Sequence, residues 1–458
     1  MEELKQEKKT RKKNLSEDQW AMLIAGNFRI DPPVMGVTCS LIWEDATQSF
    51  WKYVDGHWDC VSPTELTHLV RSRVILSEPY TMNRGKDIER QLTFEVARYD
   101  VLPDEWICFT DGSWHPPTEE FMGHSAARFA TVAVDAPFAG LRDWKEAPIF
   151  SKFLADICVT EEGEQNLAMA NLLQEMFGYC IFPNSKRAIS FFLSGAGRNG
   201  KGVLLDLLRH ILNKKRVTNL SLSDMTSSRF ATSTLVGMLL NISDETNTQR
   251  EAVSDMFKKL VASDSISAER KFGASFQYKP RCKFLFNVNG VPTFDSFGHA
   301  MRERIIAIPF FRTFSEDERD YDIGEKMVKS EMPFIVSWAM EGLRRLRNNR
   351  WKFTKFEESN ELLDTFEHLS DPFSEFLADW EVSTEPVRYS DFYSVYEMWC
   401  KTHGRRAASS RKIGIRIREK FGKQKDMWSQ ETQNSCRAVW LKFKVSPKPT
   451  TKIGEVTF

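Results

Sequence analysis

The sequence has no long apolar run, no paired cysteines and no apolar segment at its start. No run approaches the roughly 20 apolar residues that cross a bilayer, and the charged first residues lack the apolar core of a signal peptide. The eight cysteines stand singly, without a CxxC pair, so zinc binding has no support. Scattered cysteines of this kind are typical of free thiols in a reducing compartment. We therefore expect a cytoplasmic protein with no membrane partner.

The chain also lacks net charge, because 63 basic residues balance 63 acidic ones. Overall charge therefore gives no argument for a nucleic-acid partner. Locally, residues 1–13 are rich in Lys and Arg and nearly free of apolar side chains, so we predict a disordered basic tail over 1–19. Such a tail is either a solubilising segment or an arm that contacts DNA, and the sequence leaves both open.

The length of 458 residues exceeds one ordinary core, so two or three domains are expected. Alternating aromatic and polar residues around Asp55-Gly56 predict a β-hairpin early in the chain. Apolar residues then recur at helical spacing, before a strand–loop–helix–strand pattern typical of an α/β nucleotide-binding core. The predicted divisions are a tail (1–19), a mixed α/β domain (20–147), a helical pair (148–187), the α/β core (188–347), a connector (348–370) and a C-terminal domain (371–458).

The most informative segment joins a short apolar strand to an apolar helix through a glycine-rich loop. Ile189 to Leu193 predicts a buried strand and Val203 to Leu212 a helix. The loop between them follows the GxxxxGK pattern of a phosphate-binding loop (P-loop). Its backbone N–H groups and the helix N-terminus attract phosphate, and Lys201 would reach the β- and γ-phosphates. The predicted nucleotide-binding residues are Gly195, Ala196, Gly197, Arg198, Asn199, Gly200, Lys201, Gly202 and Val203.

Gly202 stands where such loops carry a Ser or Thr whose hydroxyl holds Mg²⁺. Neither Gly202 nor Val203 has a side-chain oxygen, so the loop lacks one expected metal ligand. A glycine-rich turn that binds nothing is the alternative interpretation. The strand and helix predicted on either side favour the phosphate loop.

A pair of carboxylates follows the next predicted strand, about forty residues downstream. Leu235 to Ile242 predicts a buried strand, and Asp244-Glu245 follows it. One carboxylate would hold Mg²⁺ and the other would polarise the attacking water. An acidic pair after a strand is by itself usually a solvated loop, but this spacing after a phosphate loop favours a metal-binding and catalytic role.

Two further strands carry polar residues at their ends. Lys283 to Val288 predicts a strand followed by Asn289, whose amide could orient the water against the γ-phosphate. Arg302 and Arg304 directly precede another apolar strand, where an arginine could act as a finger on a neighbour's nucleotide. Surface ion pairs with Glu303 or other residues are the alternative for both arginines.

The order of these motifs, GAGRNGKG, LLNISDET, FNVNGVP and RERIIAIPF, resembles the superfamily 3 helicase module. The group it is most similar to is the helicase of phage and plasmid primases and of the poxvirus helicase-primase. The segment NLLQEMFGYCIF resembles the helical collar that precedes the loop in that family. The resemblance implies an AAA+-like P-loop helicase core that follows an N-terminal mixed α/β domain and a helical collar. It also implies ATP and Mg²⁺ as cofactors.

Two departures from the family limit what the resemblance implies. Family members usually carry Ser or Thr where this chain has Gly202, which puts metal binding and catalytic rate in doubt. The primase domain that is often fused upstream has no room before the collar, so we do not assign primase activity to this chain.

Two segments are predicted to contact DNA. By the resemblance, Arg270, Lys271 and Phe272 lie near the tip of a hairpin that faces the channel of a ring, where cations pair with phosphate and an aromatic stacks. An exposed basic hairpin is the alternative. Near the C-terminus, three predicted helices and terminal strands favour a winged-helix domain. Its recognition helix would carry Arg411, Lys412 and Arg416. A winged helix that contacts proteins is the alternative.

These patterns predict an ATP-dependent DNA helicase or translocase in the replication of a phage, virus or mobile element, located in the host cytoplasm. The predicted partners are single-stranded or forked DNA, further copies in a hexameric ring, and a separate primase or polymerase. One alternative is an initiator or loader that binds nucleotide but hydrolyses it poorly, which Gly202 keeps open. A packaging motor is a second alternative, disfavoured by Asn289 and the two arginines.

Overall fold

The computed structural model describes residues 14–34, 36–138, 143–185, 187–212, 214–243, 252–269, 275–403, 407–421, 427–429, 434–436 and 438–443. The chain divides into two compact units. The first contains Met1–Pro292 and His299–Leu363, and the second contains Thr293–Gly298 and Asp364–Phe458. Within the described ranges, no helix combines the length and the apolar composition that a membrane span requires.

Two small four-stranded sheets, ordered β5-β4-β3-β6 and β10-β7-β8-β9, form the first part of the first unit. The predicted hairpin is confirmed, since Asp55 and Gly56, with φ of 47° and 88°, connect β4 to β5. Ser62 caps the helix after it by accepting a hydrogen bond from the Glu65 N–H at 3.2 Å. The elements are α1 (Glu17–Gly26), β1 (Arg29–Val34), β2 (Val37–Cys39), β3 (Leu41–Glu44), β4 (Ser49–Val54), β5 (His57–Cys60), α2 (Pro63–Val74), α3 (Met82–Glu95), β6 (Ala97–Tyr99), β7 (Ile107–Phe109), β8 (Gly112–His115), β9 (Glu120–Met122) and β10 (Val132–Ala133).

A five-stranded, wholly parallel sheet with the order β12-β13-β16-β11-β17 forms the centre of this unit. The protein is therefore a mixed α/β fold with a parallel sheet, and the two helices predicted before that sheet are confirmed. The elements are α4 (Pro148–Ile157), α5 (Leu167–Ile181), β11 (Ser190–Ser194), α6 (Lys201–Ile211), β12 (Val217–Thr218), α7 (Leu222–Ser227), α8 (Arg229–Thr232), β13 (Leu240–Ser243), α9 (Ser254–Val261), β14 (Ile266–Glu269), β15 (Ser275–Tyr278), β16 (Lys283–Val288), α10 (His299–Arg302), β17 (Ile305–Pro309), α11 (Ile323–Ser330), α12 (Met332–Asn348) and α13 (Glu357–Leu369).

The strand predicted over Leu235 to Ile242 is shorter than expected. The structure has a 3₁₀ turn that ends at Leu235, and β13 begins only at Leu240. Gly237 lies between them with φ of 75°, a left-handed conformation that a strand does not accommodate. A Cβ atom at Gly237 would also collide with the Cys60 thiol. The apolar run is therefore split into a turn and a four-residue strand.

Helices α5 and α12 cross at two glycines. A Cβ atom at Gly178 would collide with the backbone of Leu343, and one at Gly342 would collide with the backbone of Gln174. Both positions require glycine because the two backbones approach too closely for a side chain between them. This contact joins the helix before β11 to the helix that follows the sheet in sequence.

A buried ionic cluster ties the first small sheets to the segment before β16. Arg281 forms an ion pair with the fully buried Glu44, and its Nη1 lies 3.7 Å from an Asp104 carboxylate oxygen. Asp104 also accepts a hydrogen bond from the Thr131 N–H at 3.1 Å. Burial raises the pKa of Asp104 to about 6, against the opposing effect of the Arg281 charge.

The second unit has an aromatic core that includes Phe373, Phe376, Phe392 and Tyr396. The sequence predicted three helices followed by strands, but a strand, β18, lies between the first and second helix and pairs antiparallel with the last strand. Within the predicted connector 348–370, the structure contains a whole helix, α13. The elements are α14 (Pro372–Ala378), β18 (Trp380–Arg388), α15 (Tyr389–Thr402), α16 (Ser410–Phe421), β19 (Met427–Ser429), β20 (Asn434–Cys436) and β21 (Ala438–Phe443).

Candidate nucleotide-binding site

The glycine-rich loop joins the end of β11 to the start of α6, as the sequence predicted. Gly200 has φ of 84°, and a Cβ atom there would lie 2.7 Å from a methyl carbon of Ile157 in α4. A Cβ atom at Gly195 would lie 2.5 Å from the Phe310 carbonyl oxygen after β17. Both glycines are therefore required by the close approach of neighbouring elements, and the loop is held between α4 and the end of β17.

Asn199 and Lys201 hold the loop in its turned conformation. The Asn199 amide donates a hydrogen bond to the Ala196 carbonyl at 2.6 Å, and its oxygen lies 3.4 Å from the Lys201 N–H. The Lys201 ammonium donates to the Gly195 carbonyl at 2.6 Å. Lys201 is only 2% exposed, and burial lowers its pKa to about 8. A buried ammonium that donates a hydrogen bond to a neutral carbonyl is well prepared to bind an anion.

Gly202 lies on the exposed side of the first turn of α6. A Cβ atom at Gly202 or at Gly197 would meet nothing within 4 Å. Packing therefore does not demand glycine at position 202, in contrast to Gly195 and Gly200. A serine side chain would fit there without displacing a neighbour.

The strand register brings several of the predicted site residues to one edge of the sheet. Ser194 pairs with Val288 on one side and with Pro309 on the other, so the loop and Asn289 leave the sheet side by side. Asn289 is exposed there. Ser243 pairs with Phe286 and ends β13 at the same edge. Asp244 and Glu245, which follow Ser243 in the sequence, lie outside the described residues.

Arg302 and Arg304 lie at the opposite edge of the sheet. Ile305 pairs with Ser190, the first residue of β11, and the Ser190 N–H donates to the Arg304 carbonyl at 2.8 Å. The Arg304 guanidinium donates to the Ala300 carbonyl at 2.7 Å. A strand rises about 3.3 Å per residue, so the length of β11 separates both arginines from the phosphate loop of their own chain.

A cavity of about 530 Å³ adjoins the phosphate loop. It is lined by Gly200 and Val203, by residues of α4, and by Phe314 and Tyr321. Tyr321 is 77% exposed. Sequence reasoning missed this cavity because its walls come from segments before and after the core motifs, without a recognisable spacing. The lining residues are Pro148, Ile149, Lys152, Phe153, Asp156, Arg198, Gly200, Val203, Phe314, Glu318, Arg319, Asp320, Tyr321 and Ile323.

The predicted DNA-contacting residues fall in two places. Arg270, Lys271 and Phe272 lie outside the described residues, between the antiparallel strands β14 and β15. On α16, Arg411 and Lys412 are exposed.

Arg416, also on α16, makes its side-chain contacts inside the second unit. Its guanidinium forms a bidentate ion pair with Asp371 and lies 5.3 Å from the centre of the Phe373 ring. The Arg416 charge holds the pKa of Asp371 below its usual range, although burial opposes this. The guanidinium therefore stabilises the fold of the unit, unlike the exposed Arg411 and Lys412 of the same helix.

The comparisons with known proteins point to viral helicases. Residues 193–303 match a family of unknown function (DUF5906). The chain is 25% identical over 178 residues to "Putative helicase L207/L206" of Acanthamoeba polyphaga mimivirus, which covers 38% of this chain and 18% of that protein. It is 22% identical over 292 residues to "Putative helicase 121R" of Invertebrate iridescent virus 3, which covers 53% of this chain and 31% of that protein. The matches thus span less than a third of these relatives.

Among solved structures, the comparison finds the C-terminal region of NrS-1. Two apo structures of that region match with TM-scores of 0.45 and 0.47 at 12% and 13% identity. Each match covers 88% of this chain and 96% of the other. Through its sequence matches, the chain is a distant relative of viral proteins that are named as helicases.

Proposed function

We propose that this chain is an ATP-dependent DNA helicase or translocase of the superfamily 3 type, acting in the replication of a phage, virus or mobile element. The observation that carries the proposal is the buried Lys201 inside a closely packed glycine loop at the carboxyl edge of a parallel sheet. Ligands of open α/β sheets bind at that edge. The proposed core is of the AAA+-like P-loop kind, and the proposed second unit is a winged helix.

The loop would hold the phosphates of ATP. Its N–H groups and the start of α6 offer partial positive charge, and the Lys201 ammonium would exchange the Gly195 carbonyl for a phosphate oxygen. Since that exchange replaces a neutral acceptor by an anion, it favours binding strongly in a buried site. The cavity beside Val203 and Phe314 would hold the base, because its size and aromatic walls suit a purine.

The oxygen-bearing side chains that follow β13 and β16 in the sequence would suit a magnesium ion. The side chains of Asp244, Glu245 and Asn289 offer carboxylate and amide oxygens, which are the ligand atoms that hard divalent cations prefer. Bound Mg²⁺ would neutralise phosphate charge during hydrolysis. Glu245 would hold the attacking water and accept its proton, Asp244 would hold the metal, and Asn289 would orient the water.

The opposite position of Arg302 and Arg304 supports a site shared between subunits. Both arginines lie a full strand length from the loop of their own chain, so a finger role requires a neighbouring copy. A closed ring satisfies this requirement at every interface with one repeated contact. We propose a homo-oligomeric ring, with six subunits as in the family that the motifs resemble.

DNA would contact two parts of the chain. Arg270, Lys271 and Phe272, between β14 and β15, would face the channel of the ring. Arg411 and Lys412 on α16 are exposed cations that suit phosphate contacts. Arg416 is left out of the proposed contact surface because its guanidinium is bound to Asp371.

DNA-stimulated ATPase and strand-displacement assays test the proposal. Lys201→Ala should abolish hydrolysis, and Glu245→Gln should bind ATP without hydrolysing it. The matched control is Lys355→Ala, which removes an exposed lysine outside the site and should leave activity unchanged. Normal turnover in the Lys201→Ala variant would exclude the phosphate-loop assignment.

A nucleotide-dependent initiator or loader is the second candidate, favoured by the missing hydroxyl at Gly202. Such a protein would bind ATP and DNA but hydrolyse ATP slowly. Steady-state ATPase rates with and without single-stranded DNA separate the two candidates, since a translocase should be stimulated by DNA and a loader should stay slow in both conditions.

A further inference from the structure

Asn287 has a buried amide oxygen without a hydrogen-bond partner in the described part of the chain. It lies in β16, where Phe284, Leu285, Phe286 and Val288 are all buried apolar residues. Leaving a buried polar atom unpaired destabilises the folded state, so an apolar residue at this position would favour stability. An unpaired polar group in a protein core calls for a functional explanation.

The register places Asn287 between the two strands that lead into the candidate site. On one side its partner is Leu193, one residue before the end of β11. On the other side Phe286 pairs with Ser243, the residue that precedes Asp244 in the sequence. Asn287 is thus one step inside the carboxyl edge of the sheet, between the strand of the phosphate loop and the strand of the acidic pair.

The side chain of Asn287 belongs to the face of the sheet that α6 covers. Register partners in a parallel sheet point to the same face, so Asn287 shares a face with Leu193. Leu193 belongs to one apolar core together with Leu204 and Leu205 of α6. The first turn of that helix contains Gly202, where the expected hydroxyl is missing and where space is open.

We propose that Asn287 is a positioning residue that substitutes for the hydroxyl missing at Gly202. Its amide oxygen would accept a hydrogen bond from a water of the Mg²⁺–nucleotide complex. Magnesium keeps several of its waters when bound to proteins, so an acceptor for such a water helps to fix the complex. This inference rests on the proposed ATP-binding function.

The inference predicts that positions 202 and 287 compensate for each other. In Asn287→Leu, nucleotide affinity measured without Mg²⁺ should be unchanged, because the loop and Lys201 are intact. The Mg²⁺ concentration for half-maximal binding of a fluorescent ATP analogue should rise roughly tenfold, the value of one hydrogen bond of ordinary strength. Adding Gly202→Ser to Asn287→Leu should reverse most of that rise.

The test is a set of equilibrium Mg²⁺ titrations on the full chain, with a thermal melt of each variant. Asn184→Leu is the control, because Asn184 is exposed and precedes β11 at the other edge of the sheet; it should not change the Mg²⁺ requirement. Asn287→Ala serves as a second variant if Asn287→Leu does not fold. An unchanged Mg²⁺ requirement in a folded Asn287 variant overturns the inference while leaving ATP binding intact. A wild-type chain that binds no nucleotide would overturn the proposed function itself.

Discussion

The ammonium of Lys201 lies 2.6 Å from the carbonyl oxygen of Gly195, so the loop's own backbone accepts its hydrogen bond. Lys201 is buried and its pKa is lowered to about 8 because burial disfavours the charged form. Near neutral pH this lysine is a cation kept out of water with a neutral partner. An anionic phosphate would stabilise its charged form, and this coupling has a measurable consequence.

Nucleotide binding should take up protons near pH 8.5. In the free protein Lys201 is then largely neutral, since its pKa of about 8 lies below that pH. A bound phosphate raises this pKa, so up to about one proton is taken up per nucleotide and affinity falls as pH rises through 8. Isothermal titration calorimetry in two buffers of different ionisation enthalpy measures the uptake. A binding heat that does not depend on the buffer would contradict the prediction.

Replacing Gly202 by serine should lower the Mg²⁺ requirement for ATP hydrolysis. The position has open space, so the serine fits and adds an oxygen ligand that this loop lacks. We expect the Mg²⁺ concentration at half-maximal rate to fall severalfold, with little change in nucleotide affinity. Titrating Mg²⁺ at saturating ATP tests this. Gly202→Ala is the matched control, since it adds the Cβ atom without the oxygen, and an equal effect of both variants would assign the change to backbone conformation.

Variants of the loop and of the arginines should complement each other in mixed rings. Lys201→Ala removes the phosphate contact, and the double variant Arg302→Ala/Arg304→Ala removes both candidate fingers, which lie at the other edge of the sheet. Each variant alone should be inactive, whereas a mixture contains interfaces with an intact loop and an intact finger. ATPase rates across mixing ratios measure this. If mixed rings form without any recovered activity, the site is not shared.

Asp104 should make the stability of the first unit depend on pH. The folded-state pKa of Asp104, about 6, lies above its ordinary value of 3.8. The contribution of Asp104 to the free energy of unfolding is therefore fully present below about pH 4 and is lost as pH rises through 6. Between pH 5 and pH 8 the loss is about 1 kcal/mol. The free energy of unfolding of Asp104→Asn, relative to wild type, should therefore rise by that amount over this range.

Urea unfolding at the two pH values, followed by tryptophan fluorescence, gives this difference. The exposed Asp100 provides the control, because Asp100→Asn should show the same difference from wild type at pH 5 and pH 8. If Asp104→Asn behaves like the control, the Arg281 charge compensates the burial of Asp104 completely.

The bounds of helices and strands were predictable from the sequence where neighbouring residues determine the local conformation. The strand from Lys283 to Val288 has the predicted bounds, and the helix after the phosphate loop begins at Lys201, two residues before the predicted start. Both depend on short apolar patterns and on glycines within one segment. The strand predicted over Leu235 to Ile242 was wrong in its first half, because Gly237 has a left-handed conformation. It also lies too close to Cys60, which is distant in the sequence, to carry a side chain.

The sequence by itself determined the order and spacing of the loop, the acidic pair, Asn289 and the two arginines. Only the tertiary structure decided which of these lie together. The pairing of Ser190 with Ile305 puts the arginines at the edge away from the loop. The pairing of Leu193 with Asn287 puts near the loop an amide oxygen that has no partner among the described residues. The bidentate pair of Arg416 with Asp371 has the same origin. Each of these contacts joins residues far apart in the chain. Strand register and burial determine such contacts, whereas sequence patterns report only on local conformation.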